Sequence, residues 1–208
     1  GGYDPDKDNQ ASADDDEGNA FYIINATTGD LIWKAVKGTG INTNTLHYVA
    51  DMVDSAPTTV SILDTSGDGI IDRVYFGDTG GAVWRVDLPE GDEGAVGGFS
   101  RKDSWFVTKL AELGTDGGAD DRRFFHSADL VNTKDNVGEY VAIVIASGDR
   151  ASPKETVVDN YLFTMKDRIL VSGAAAVKSR APLTLGDLTD ITNICISGEE
   201  AACKSADL

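Results

Sequence analysis

Histidine is nearly absent from this 208-residue chain, which has only His47 and His126. A nucleophile–base–acid set cannot be placed on two isolated imidazoles, because hydrolytic sites need convergent titratable groups, so the sequence reads as non-enzymatic. Cysteine stops at two, Cys195 and Cys203. Without a histidine nearby they make a poor zinc site. Their spacing allows either two free thiols or, in an oxidising compartment, a disulfide closing a small loop. No apolar run reaches the roughly 18 residues of a membrane-spanning helix, so no membrane insertion is expected. No leader pattern is legible, and the opening Gly1-Gly2-Tyr3-Asp4 reads as the interior of a longer protein. Positive charge is scarce. Eighteen Lys and Arg against 35 Asp and Glu give a net charge of −17. That sets nucleic acid and anionic lipid aside as partners and suits calcium-containing extracellular fluid.

Glycine, by contrast, is abundant, with 23 residues against five prolines in a chain that is 41% hydrophobic. Frequent turns between short apolar segments predict an all-β fold. Ala20 to Asn25 and Leu31 to Val36 form a hairpin around Gly29. Strands follow at Thr58 to Leu63, Arg73 to Gly77, Ala82 to Leu88 (alternating as an outer strand would), Ser104 to Leu110, Tyr140 to Ala146 and Asn160 to Lys166. Residues 37–54 and 89–102 read as connections, and residues 1–19 as a polar, acidic loop. Weak helical character is left to Gly173 to Ala181 and to a start at Leu185. A strand–Gly-Asp–strand–turn–strand unit recurs in three imperfect copies, marked by Gly2-Tyr3-Asp4, Gly77-Asp78 and Gly148-Asp149. Repeated antiparallel units of this kind are blades of a β-propeller. The expected architecture is a modified propeller of antiparallel blades with long loops, this chain holding part of the blades. Residues 1–208 make one such domain or a fragment of one, with 169–208 as a C-terminal tail.

The chemistry-bearing stretch is Asp64-Thr65-Ser66-Gly67-Asp68-Gly69-Ile70-Ile71-Asp72. Oxygen-bearing side chains stand at positions 1, 3, 5 and 9 and glycine at 6, the spacing of an EF-hand-type calcium loop. Asp64, Ser66, Asp68 and Asp72 would give side-chain oxygens and Ile70 its carbonyl. Position 12 is Tyr75 rather than Glu, and both flanks are strands. The expected site is therefore a Ca2+ loop at a strand-to-strand turn, with Asp72 bidentate in place of the missing Glu. Tight turns also favour Asp, Ser and Gly. Three carboxylates so close in sequence repel one another without a cation, which favours calcium over an empty turn.

Residues 64–72, followed by Arg73-Val74-Tyr75-Phe76-Gly77-Asp78-Thr79-Gly80-Gly81-Ala82-Val83-Trp84-Arg85-Val86-Asp87-Leu88, resemble the C-terminal domain of the PilY family of type IV pilus tip adhesins and biogenesis factors. Two further stretches share that resemblance: Gly1-Gly2-Tyr3-Asp4-Pro5, and Ala146-Ser147-Gly148-Asp149-Arg150-Ala151-Ser152-Pro153 running on to Asp167-Arg168. The resemblance implies a modified β-propeller, one calcium held by Asp64, Ser66, Asp68, Ile70 and Asp72, and a role in pilus extension, retraction and surface attachment. It also implies export to the pilus tip and cell surface or to the outer membrane and periplasm. Minor pilins or other tip components, and host or abiotic surfaces, are then the expected partners. In an exported protein Cys195 and Cys203 are expected to pair. Two rival readings remain. An integrin-like calcium-repeat adhesion propeller would carry the loop in several blades, whereas here it occurs once. Thr28-Gly29-Asp30-Leu31-Ile32-Trp33 resembles a quinoprotein blade signature, but no cofactor-stacking tryptophan or catalytic base can be assigned.

Overall fold

Eleven strands and one short helix account for the regular structure in a computed structural model that describes residues 2–5, 14–89, 102–170 and 175–192. They form three sheets. The first is β1 (Ala20–Ile24), β2 (Leu31–Lys37) and β3 (Leu46–Val49) in that order. The middle sheet contains β4 (Ser61–Leu63), β5 (Arg73–Gly77), β6 (Ala82–Asp87) and β7 (Phe106–Glu112), with β11 (Leu183–Thr184) added beside β7. The third is β8 (Asp129–Lys134), β9 (Glu139–Ala146) and β10 (Leu162–Asp167), with β9 central. Helix α1 spans Ala175–Lys178, inside the region read as weakly helical. Residues 185–187 make only a 3-10 turn. Cys195 and Cys203 lie outside the described residues.

The all-β, largely antiparallel expectation holds, with two exceptions. β2 pairs with β3 in parallel, Lys34 opposite Leu46, and β7 pairs with β11 in parallel, Ala111 opposite Leu183. The first exception lies in residues 37–54, read from sequence as a connection. Leu46-His47-Tyr48-Val49 has no sustained alternation, so nothing local announces it as a strand.

The two cores explain why the middle sheet is so apolar. Every residue of β5 and β6 is buried. Phe76, Ala82, Trp84 and Val86 face one cluster with Phe21, Trp33 and Trp105, whereas Tyr75 and Val83 face a second with Phe124, Ile143, Ile145 and Met165. Alternate side chains of one strand point to opposite faces, so a sheet covered on both sides buries both sets. β6 is therefore a central strand, not the outer strand that its alternation suggested. Its polar positions, Arg85 and Asp87, are buried rather than solvated. Trp33 and Trp84 are fully enclosed, and cutting such a ring back to Ala costs about 3–5 kcal/mol.

Close packing in the turn between β5 and β6 depends on Gly81. Its φ is +82°, and a Cβ there would come within 2.6 Å of the Gly114 backbone and 2.8 Å of the Arg122 carbonyl oxygen. No side chain fits that approach, and the left-handed φ favours glycine independently.

Candidate functional site

The turn between β4 and β5 carries all five sequence-predicted ligands, residues 64–72. Its two arms are joined at the base. The Asp72 amide donates to the Leu63 carbonyl at 3.2 Å, and the Asp72 carbonyl accepts the Leu88 amide at 2.8 Å. Asp72 is buried at 5% exposure, and its Oδ2 accepts from the Thr65 amide at 3.0 Å and the Thr65 hydroxyl at 2.5 Å. Farther out, Asp64 Oδ1 accepts from the Gly67 amide at 2.6 Å and Ser66 Oγ at 3.3 Å, and its Oδ2 from the Gly69 amide at 2.8 Å. The amides of Gly69 and Gly67 hold the Asp64 carboxyl below the usual carboxylate range. Asp68 Oδ1 accepts from the Ile70 amide at 2.8 Å. Gly67 and Gly69 take φ of +80° and +89°, which is why glycine stands at the two bends.

The turn thus brings Ser66 against Asp64 and ties Asp72 to Thr65. It does not gather Asp64, Asp68 and Asp72 into one cage. Among the described residues no three carboxylate, imidazole or thiolate groups converge on a metal position. The donor chemistry fits calcium all the same: three carboxylates, a hydroxyl and a carbonyl, all hard oxygens, with no nitrogen or sulfur donor. Tyr75, at the twelfth position, is not available to such a site. It is fully buried and its hydroxyl donates to Asp167 Oδ2 at 2.8 Å. Burial, with the Asp167 charge beside it, pushes that phenol above its ordinary range.

Thr65 was not singled out by the spacing argument, because its contact with Asp72 depends on how the turn closes. The aspartates of the recurring unit were legible as a repeat, and the structure gives them one shared task. Asp78 Oδ1 accepts from the Gly80 and Ala82 amides at 3.0 and 2.8 Å. Asp149 Oδ1 accepts from the Ala151 and Ser152 amides at 2.8 and 3.2 Å. Asp4 Oδ2 accepts from the Asp16 and Glu17 amides at 2.8 and 3.3 Å. Each carboxylate accepts two backbone amides: Asp78 and Asp149 close a local turn that way, and Asp4 holds amides twelve and thirteen residues on. The histidines sit elsewhere: His47 stacks on Trp33 at 6.0 Å between centroids, its pKa lowered by burial and by the Lys178 charge, and His126 is exposed.

No family model matches the chain. Over 68 residues it is 35% identical to a type IV pilus biogenesis factor PilY1 homolog of Xylella fastidiosa, a match covering 33% of this chain and 5% of that protein. Its fold is similar to the crystal structure of the Pseudomonas aeruginosa PilY1 C-terminal domain, with a TM-score of 0.55 and 21% identity over 82% of this chain. The chain spans about a third, 35%, of that domain. In local sequence and in fold, this chain is similar to the PilY proteins and their C-terminal domain.

Proposed function

We propose that this chain is part of a modified β-propeller in an exported, calcium-binding and non-enzymatic factor of type IV pilus biogenesis. The observation that carries the reading is the oxygen-ligand spacing of residues 64–72, which falls on a turn between two strands of a fold similar to the PilY1 C-terminal domain. In this reading residues 1–208 form one propeller-like unit that holds some of the blades. The three sheets are those blades, and 169–208 is the C-terminal tail. One Ca2+ is held by Asp64, Ser66, Asp68 and Asp72 and by the Ile70 carbonyl. The ion supplies positive charge for carboxylates that now accept from their own backbone amides. It acts as a structural and regulatory ligand, since the turn offers no histidine and no adjacent base for Lewis-acid chemistry. The partners are minor pilins or other tip components and the surface to which the pilus attaches, and the site of action is the pilus tip or outer membrane. The balance of pilus extension and retraction, together with twitching motility and adhesion, is the process such a factor would regulate.

Calorimetric titration with calcium tests the site. The wild-type chain should bind one ion, and Asp64→Ala or Asp68→Ala should abolish binding, because each removes a carboxylate from a loop already lacking the usual Glu. Unchanged affinity in Asp68→Ala would remove the assignment.

A further inference from the structure

A cleft of about 890 Å³ lies between residues 117–126 and the 147–160 loop that follows β9, and it shares no lining residue with the β4–β5 turn. Its walls are fixed by long-range bonds. The Gly148 amide donates to the Arg123 carbonyl at 2.9 Å, the Asp159 amide to the Ala119 carbonyl at 2.8 Å, and Arg122 Nε to the Asp159 carbonyl at 2.7 Å. On its floor the Arg123 guanidinium lies between two carboxylates, with Asp149 Oδ2 at 2.8 Å and Asp121 Oδ2 at 3.3 Å. The Asp121 side chain is 10% exposed, and its other oxygen, Oδ1, is buried with no hydrogen-bond partner among the described residues. A covered carboxylate oxygen without a donor is costly, and a group of this kind asks what donor completes it.

The surroundings narrow that donor. Charged residues lining the cleft are Asp121, Asp149 and Glu155 against Arg123 and the exposed Arg150, with His126 beside them. An anion would have to displace carboxylates from Arg123 and approach a chain of net charge −17. A metal ion would meet the Arg123 guanidinium between the very carboxylates it needed. Among the described residues no phenylalanine, tyrosine or tryptophan lines the cleft to form a sugar platform. A guanidinium or ammonium on a flexible stem needs only one or two acceptors and can share a carboxylate with Arg123 rather than replace it, as Arg85 and Arg180 share Asp167 and Lys166 and Arg168 share Asp135. It donates to Asp121 and Asp149 and is drawn in by the overall field.

We propose that this cleft receives an arginine or lysine side chain of a partner polypeptide, with Asp121 as the inner acceptor and Asp149 and Glu155 flanking it. Glu155 lines the same cleft, and its Oε1 accepts from the Thr156 and Val157 amides at 2.7 Å each. The proposal is separate from the calcium reading, so Asp68→Ala should retain it.

The test is an NMR titration of isotopically labelled protein with a Gly-Ser peptide carrying one arginine, beside a twin carrying neutral, isosteric citrulline. A single charge avoids the indiscriminate binding that any polycation would show to so acidic a chain. The arginine peptide should shift the amide signals of residues 121–123 and 147–155 in a saturable way. Asp121→Asn and the citrulline substitution should each weaken binding at least tenfold, and Glu139→Gln, at the opposite end of β9, by less than twofold. Ala151→Trp, on the exposed rim, should block the cleft with Asp121 intact, which keeps the test decisive if Asp121→Asn folds poorly. Shifts scattered over the acidic surface, equal binding of the citrulline twin, or undiminished binding to Ala151→Trp would each overturn the proposal.

Discussion

Asp78 is the residue at which burial and hydrogen bonding oppose each other most directly. It is 1% exposed, and besides the two backbone amides its Oδ2 accepts from Trp84 Nε1 at 2.6 Å. Burial first, and the Asp54 charge second, push its carboxyl up to about 7 in spite of those donors, and Lys109 only partly offsets them. In the unfolded chain an aspartate titrates near ~3.9. Between those two values the folded state holds the proton and the unfolded state does not. This contribution is therefore fully present at acid pH, falls as pH rises from about 4 to about 7, and levels off above that. The carboxyls held below their ordinary range, Asp64, Asp135, Glu155, Asp187 and Asp190, act in the opposite sense and at lower pH, so the windows separate. Asp54→Asn removes the neighbouring like charge. Urea midpoints measured from pH 4.5 to 7.5 should fall less steeply in that variant than in the wild type. An equal or steeper fall would mean that Asp54 does not set the Asp78 proton.

Between elements, the strongest polar tie joins β6 to β10. Arg85 grips Asp87 through Nε at 2.8 Å and Nη2 at 2.6 Å, and its Nη1 reaches Asp167 Oδ2 at 2.7 Å. Arg180 reaches Asp167 Oδ1 at 3.2 Å, so one carboxylate gathers the middle sheet, the third sheet and the tail. Removing one partner of a fully enclosed ion pair leaves an uncompensated charge. Asp167→Ala should lower stability by about 3–5 kcal/mol. Lys166→Ala, whose exposed pair with Asp135 is 2.9 Å long, should cost at most ~1 kcal/mol. Denaturant midpoints that drop equally for the two variants would contradict this. The same tie shows what the sequence could and could not disclose. Runs such as Tyr140 to Ala146 announce strands because β-branched and aromatic residues fill them. Asp129-Leu130-Val131-Asn132-Thr133-Lys134 does not, and β8 exists because β9 pairs with it along its whole length. β6 misled because alternation is read as one wet face, whereas Arg85 and Asp87 satisfy each other along the strand and Arg85 also reaches Asp167 in the third sheet. The β4–β5 turn was legible because its spacing is local. Thr65 on Asp72 and Asp121 in the cleft were not, since both depend on contacts made only once the chain has closed.

For the whole molecule, the consequence of the proposed calcium site follows from where the turn stands. β4 and β5 belong to the sheet whose two faces carry both hydrophobic cores, and the turn's base is tied through Asp72 to Leu88, just beyond β6. An ion that fixes the turn would thus favour one packing of the middle sheet between its neighbours. Binding to the folded state alone stabilises by roughly 2.7 kcal/mol at a hundredfold excess over the dissociation constant. For a chain of this size that corresponds to a rise in melting temperature of roughly 5–10 °C. Asp72→Ala removes a proposed ligand and the partner of Thr65 together. It should melt lower than the wild type without calcium, and adding calcium should give little or none of the wild-type rise. Under the proposed pilus role the same substitution should disturb the balance of extension and retraction, seen as altered twitching motility in cells carrying the variant in the full-length protein. A variant that gains the full calcium-dependent rise would place the ion elsewhere. Normal motility, in a variant that has lost the rise, would confine calcium to holding the fold.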